Sequence, residues 1–141
     1  MTEIRKAETS EQIQIAQEIR REVFVKEQGV PEEIEYDGKD EQSIIVLAYN
    51  SQEAIGCARL LIEGEKGKIG RVAVKKPFRG KGIGAMLCNE LVDLAQKTNV
   101  RYIYIHSQAT AKEFYEKLGF KVSGEGFYEA DKLHYKMERQ L

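Results

Sequence analysis

Arg79-Gly80-Lys81-Gly82-Ile83-Gly84 runs directly into an apolar helical repeat, and the fold is read outward from that junction. Ile83, Met86, Leu87, Leu91 and Leu94 make one stripe of a helix, with Asn89, Glu90, Asp93 and Lys97 off it. Glycines let a backbone turn tightly and approach a ligand closely, because no Cβ intervenes. A helix N-terminus adds unpaired N–H groups and a positive dipole end, which suit a pyrophosphate. Lys75, Lys76, Arg79 and Lys81 put four cations beside that point. Read separately, these are a sharp turn and a solvated loop; together at a strand-to-helix junction they point to phosphate binding. Gly80 to Ala85 also fits the dinucleotide pattern G-x-G-x-x-A. That pattern places its glycines immediately after a strand and an acid about 20 residues on. Here Lys75 to Arg79 intervene, the stretch Arg101–His106 carries no acid, and there is no Walker sequence. The dinucleotide reading fails.

Working outward, residues 3–7 predict a short strand. Thr9 and Gln12 offer a capping box for a helix carrying Ile13, Ala16, Ile19 and Val23, which stops near Gln28-Gly29-Val30-Pro31. Residues 32–41 form an acidic connection. Strands are predicted at Ser43–Tyr49, Ala54–Ile62 and Lys68–Val74, the first two joined by a hairpin turn at Asn50–Glu53. In the third, Val72 and Val74 share a face while Ile69 has the opposite parity. Either a β-bulge lies near Gly70–Arg71 or Ile69 falls outside the strand. Beyond the apolar helix come a strand at Arg101–His106, a helix from Ala109 to Leu118 capped by Gly119, and closing strands near Phe120–Gly124 and Leu133–Glu138. The order β-α-β-β-β-α-β-α-β-β mixes hairpins with a parallel crossover and predicts an α+β domain on a mixed sheet.

The 141 residues suit a single domain over 1–141. With 22 basic against 23 acidic residues, the chain lacks the net positive charge of a nucleic-acid binder. Cys57 and Cys88 are too few and too far apart for a disulfide framework or zinc site, and both sit among apolar residues as reduced thiols. No metal site is expected. No apolar run approaches the roughly 20 residues of a membrane span, and Met1 to Lys6 lacks the apolar core of a signal peptide. A cytoplasmic protein is expected, as a monomer or homodimer.

The glycine turn resembles the acetyl-CoA signature of the GNAT N-acetyltransferase superfamily, an Arg or Gln, two residues, Gly, one residue, then Gly or Ala. Arg79, Gly82 and Gly84 occupy those places. Val72-Ala73-Val74 resembles the family's fourth strand, and Ala111 to Phe120 resembles its second signature. The likeness covers nearly the whole chain. A narrower one, in Arg20 to Pro31, Glu35-Tyr36-Asp37, Asp40, Gly70 to Val74 and His106 to Ala109, is to a bacterial subgroup of unassigned acceptor. Acyl-homoserine lactone synthases are a distant likeness; they typically carry a tryptophan in the early segment, and this chain has none.

The resemblance implies a sheet splayed between its fourth and fifth strands, acetyl-CoA as cosubstrate, and direct attack of an amine on the thioester. It implies that backbone of Val72, Ala73 and Val74 meets the pantetheine arm, and that Arg79, Gly80, Lys81, Gly82, Ile83, Gly84 and Lys112 meet the rest of the cosubstrate. Tyr115 matches the family's thiolate-protonating tyrosine, although Ala111, Phe114, Tyr115 and Leu118 also form an apolar stripe in which it is a core residue. The base is open among Glu27, Glu35, Asp37, His106 and a water relay. Arg71 either binds an acidic group of the acceptor or pairs with the acidic loop. That loop itself predicts a cationic or hydroxyl-rich acceptor, or is merely solvated. His134 receives no role. A small-molecule amine is the expected acceptor, against a non-catalytic acyl-CoA sensor and a protein N-acetyltransferase.

Overall fold

The computed structural model describes residues 2–141. Strand β1 (Thr2–Lys6) leads into helix α1 (Ser10–Arg20), closed by the predicted capping box: Thr9 Oγ1 accepts from the Gln12 N–H at 3.2 Å and Gln12 Oε1 accepts from the Thr9 N–H at 3.1 Å. The helix widens into a π-helical segment, Arg21–Glu27, and ends at Gly29, which takes φ +75°. The acidic connection holds a single helical turn, α2 (Glu32–Glu35). A meander follows: β2 (Ile44–Asn50), β3 (Glu53–Glu63) and β4 (Lys66–Val74). Then come α3 (Ile83–Gln96), β5 (Tyr102–Gln108), α4 (Lys112–Lys117), β6 (Lys121–Val122), β7 (Phe127–Glu129) and β8 (Lys132–Gln140).

The strands form one mixed sheet in the order β1-β2-β3-β4-β5-β8-β6, with β7 on β8. Among the described residues, only β4 and β5 are parallel neighbours, joined by the α3 crossover. The apolar faces of α3 and α4 cover one side of the sheet, burying Leu60, Ile69, Leu87, Leu91, Ile103, Ile105, Phe120 and Met137. On the other side α1 and the π-helical segment cover only part, packing Ala16, Ile19 and Val23 on Ile45, Leu47, Cys57 and Ala73. Cys57 and Cys88 are buried and free, and burial pushes both thiols up to about 12. Neither is a nucleophile at neutral pH.

Two irregularities make the site. The parallel ladder runs only from Lys66↔Tyr102 to Ile69↔Ile105. Above Ile69, β4 stays with β3, while β5 above Ile105 stays with β8. The sheet therefore splays, with free strand edge on both sides of the gap. Of the two readings of the broken parity, the bulge is the one present. Cys57 pairs with Ala73 and Arg59 with Gly70, so Ala58 alone opposes Arg71 and Val72. Arg71 takes φ 54° there, a conformation that costs a non-glycine residue about 1–3 kcal/mol.

Some expectations change. Met86 is 38% exposed, whereas Cys88, Val92 and Ala95 are buried, so the buried face of α3 is rotated from the predicted stripe. Sheet contact on the Cys88 side outweighs the simple hydrophobic count. The chain closes with three strands, because Ala130 and Asp131, both with positive φ, turn β7 back onto β8. Strand β5 runs to Gln108, which puts His106 within the strand and not at its end. Among the described residues, no helix is long and apolar enough to cross a membrane.

Candidate functional site: a cleft at the strand splay

At the glycine turn, Gly80 and Gly82 both take φ +79°, the left-handed conformation that L side chains rarely adopt. Gly82 caps α3, and a Cβ built on it meets nothing within 4 Å, so the space in front of the helix is open. The first N–H groups of a helix have no partner within it, so those at Ile83 and Gly84 are available to an anion. Gly84 has a different reason to be glycine: a Cβ there would stand 3.2 Å from Phe114 Cζ, where α4 crosses α3. An open cradle of backbone donors fits a pyrophosphate, although of the four cations adjacent in sequence Lys75 lies 3.9 Å from Glu53 and away from the turn. Arg79 donates Nε to the Val74 carbonyl at 2.8 Å and the rest of its guanidinium to Glu27. Lys112 opens α4, its Nζ 5.7 Å from the Tyr135 ring centroid.

A cleft of about 640 Å³ follows the splay, with Val72, Ile69 and Arg71 on one wall and His106 and Tyr115 among its other lining residues. Tyr115 is 7% exposed, edge-on to Phe114 at 4.9 Å and to Phe120 at 6.0 Å. Burial raises its pKa, with Cys88 adding to the shift, so the phenol stays protonated at neutral pH. It is at once a core residue and a cleft residue.

The alternation of β5 explains the other wall. Ile103, Ile105 and Ser107 are buried, while Tyr104, His106 and Gln108 are half-buried towards the side that α1 leaves uncovered. In the β5–β8 ladder His106 lies opposite Lys136 and Gln108 opposite His134. His106 Nδ1 is buried without a hydrogen-bond partner, 3.6 Å from Glu129 Oε1. Burial and the charge of Lys68 lower the His106 pKa, against the pull of Glu129. The imidazole is therefore neutral at pH 7 and able to take a proton. His134, assigned no role from sequence, lies on the far side of Glu129: its Nε2 is 3.7 Å from Oε2, and its Nδ1 donates to the Lys132 carbonyl at 2.8 Å. Only the β7–β8 hairpin brings these groups together, and its turn residues, Ala130 and Asp131, gave no hairpin signal.

The acidic connection is stitched into the wall. Arg20, 2% exposed, binds Glu35 at 2.6 and 3.1 Å and Asp40 at 2.6 Å. Arg59 binds Asp37 through two bonds of 2.9 and 2.7 Å and reaches Asp40 at 3.2 Å. Arg71 meets Glu35 Oε2 at 3.2 Å, the Glu35 carbonyl at 3.0 Å and Asp37 at 3.4 Å. Three arginines thus meet three carboxylates, and Arg71 pairs with the acidic loop. Glu27 sits apart beside the glycine turn with Arg79 and does not line the cleft.

The family model described as "Acetyltransferase (GNAT) domain" matches residues 4–141. The chain belongs to the GNAT acetyltransferase family. Membership makes it an acyltransferase with acetyl-CoA as cosubstrate, in agreement with the open cradle. Among relatives, the Bacillus subtilis protein YyaT is 31% identical over 141 residues, covering 98% of this chain and 95% of its own. The N-acetyltransferase YjcF of the same organism is 33% identical over 132 residues, covering 93% and 94%. The crystal structure of Escherichia coli ElaA, 27% identical, superposes with a TM-score of 0.87 over 99% of this chain and 100% of that one. An acyl-CoA N-acyltransferase from Pseudomonas aeruginosa, 26% identical, gives 0.88 over 99% of each. The GNAT splay and glycine turn are thus those the sequence led us to expect.

Proposed function

We propose that residues 1–141 form one cytoplasmic catalytic domain that transfers an acetyl group from acetyl-CoA to the primary amine of a small molecule, by direct attack within a ternary complex. One observation carries this reading: Tyr115 and His106 line the same cleft, which begins at the splayed edge of β4. A group able to give a proton and a group able to take one thus share a space sized for a small ligand.

The glycine turn and the start of α3 hold the pyrophosphate, with Arg79, Lys81 and Lys112 supplying charge. The Val72 backbone and the Val74 N–H, left without a strand partner on the β5 side by the splay, take the pantetheine as an added strand, while the Val74 carbonyl accepts from Arg79. One of these N–H groups faces the thioester oxygen and stabilises its developing charge. His106 takes the proton of the attacking amine, with Glu129 balancing the charge. Tyr115 gives its proton to the sulfur as the C–S bond breaks and the C–N bond forms. Glu35, Asp37 and Arg71 hold the wall in place through their network.

The test is a screen of small amines with acetyl-CoA, reading released thiol and the mass of the product. Thiol release with an N-acetylated product supports the reading. Tight CoA binding without transfer to any small amine overturns it in favour of a sensor or of a protein acceptor.

A further inference from the structure

Lys68 lies on β4 opposite Tyr104 in the parallel ladder, one residue before the ladder ends, and its side chain lines the cleft. No described carboxylate lies within ion-pair distance of its ammonium. Of the carboxylates nearby, Glu35, Asp37 and Asp40 are engaged by Arg20, Arg59 and Arg71, whereas Glu129, between the two histidines, and Glu63 also line the cleft. The arginine network is neutral in sum, and beyond it three lysines, Lys39, Lys68 and Lys132, stand against two carboxylates, Glu63 and Glu129, so the balance left to the cleft is positive. Lys39 and Lys132 also line this space, and Lys66 and Lys136 flank the Tyr104 ring at 5.8 and 5.0 Å from its centroid. Burial lowers the Lys68 pKa and, against Glu129, so do the charges of Arg71, Arg59 and Lys39. An ammonium kept among cations and half out of water gains most from an anion that enters with the ligand.

We propose that Lys68 is a specificity-determining residue and that the acceptor is an amine bearing an anionic group, a carboxylate or a phosphate, which docks on Lys68 while the amine reaches His106. His106 lies two residues along β5 from the register partner of Lys68, a spacing of about 7 Å at ordinary strand rise. Amine and anion are therefore separated by a few bonds. This rests on the transfer reading above and reverses the polarity that the acidic loop implies from sequence.

The test compares acceptors differing in charge, 4-aminobutyrate against 4-aminobutanamide for the carboxylate and O-phosphoethanolamine against ethanolamine for the phosphate. The expected result is a kcat/KM at least about tenfold higher for one anionic member than for its neutral partner. Lys68→Met should collapse that ratio towards one, and Lys68→Arg should restore most of it. A neutral member preferred in both pairs, or a ratio unchanged in Lys68→Met, overturns the proposal. If no amine is acetylated, the transfer reading fails separately, and the anion site is judged by binding. The CoA-saturated protein should then gain melting temperature with 4-aminobutyrate or O-phosphoethanolamine and not with the neutral partners, and lose that gain in Lys68→Met. No gain with either anion overturns it. If Lys68→Met does not fold, Lys68→Gln serves.

Discussion

Arg79 donates two hydrogen bonds to the Glu27 carboxylate, Nη1 to Oε2 at 2.5 Å and Nη2 to Oε1 at 2.8 Å, so the end of the π-helical segment grips the residue that opens the glycine turn. The Arg79 hydrogen bonds hold the Glu27 carboxyl below the usual range, so the pair is ionised at neutral pH. A cation beside the glycine turn is thereby neutralised while the carboxylate is in place. Glu27→Gln should release that charge and tighten CoA binding by roughly two- to fivefold, the modest scale of an exposed pair. Calorimetry at low salt measures it, and the gain should shrink as salt rises. Weaker CoA binding in Glu27→Gln would instead make the carboxylate a support that positions Arg79.

The two glycines of the turn should fail in different ways. At Gly82 a methyl enters open space but is forced into positive φ, at a cost of about 1–2 kcal/mol. Gly82→Ala should fold and lose CoA affinity because the methyl stands in the cradle. At Gly84 the methyl meets Phe114, so Gly84→Ala should lower the melting temperature in the absence of CoA. CoA at about 100 times its dissociation constant adds roughly 2.7 kcal/mol to the wild type. A melting shift of that size in Gly82→Ala would remove the cradle assignment.

The arginine network sets an acid limit on stability. Burial alone would raise the Asp40 pKa, but bonds from Arg20 and Gln17 lower it overall; burial acts likewise on Asp37, where Arg59 prevails. Folded-state pKa values below the unfolded ones give stability that is present above the unfolded value, about 3.9, and lost as pH falls through the folded value. Melting temperature should therefore hold to about pH 5 and decline steadily below. Asp40→Asn leaves Arg20 and Arg59 short of charge at a buried site and should cost about 3–5 kcal/mol at pH 7. Its melting curve should also be flatter in acid than that of the wild type.

Much of this architecture was legible in local pattern, and the reason is local chemistry. The Thr9–Gln12 box, the glycine turn and the broken parity between Ile69 and Val72 each act within a few residues, and each appears in the structure. The cleft chemistry was less legible because it depends on register. His134 meets Glu129 across a hairpin whose turn, Ala130-Asp131, carries no glycine or asparagine signal. Glu35, Asp37 and Asp40 read as acidic, but nothing in one dimension pairs them with arginines 15 to 36 positions away. Met86 lies on the predicted stripe and in fact faces outward, since an apolar count does not say which edge of a helix the sheet touches.

His106 should leave its mark on the pH profile. Its pKa is lowered from 6.5, first by burial and then by Lys68, with Glu129 opposing and His134 adding a smaller lowering effect. The base form thus predominates at neutral pH, and single-turnover rate should fall in acid with a midpoint below 6.5. His106→Gln should remove that limb and slow the step by about 100-fold or more. A limb that persists in His106→Gln assigns the proton to a water relay.

Tyr115 separates two roles that its position combines. It is 7% exposed and packed against Phe114 and Phe120, so the aromatic ring belongs to the core, while its phenol lines the cleft. Burial raises its pKa, which keeps the proton on the oxygen at neutral pH. Tyr115→Phe keeps the ring and removes only the acid. Loss of a positioned acid costs about 100- to 10,000-fold in rate, whereas loss of one hydroxyl hydrogen bond costs about 0.5–1.5 kcal/mol of stability. The expected outcome is a fall of at least 100-fold in single-turnover rate, with CoA affinity and melting temperature near those of the wild type. Single-turnover measurement is needed because slow product release hides a change in the chemical step. A rate within about threefold of wild type would return Tyr115 to the core alone and leave the thiolate to be protonated by solvent.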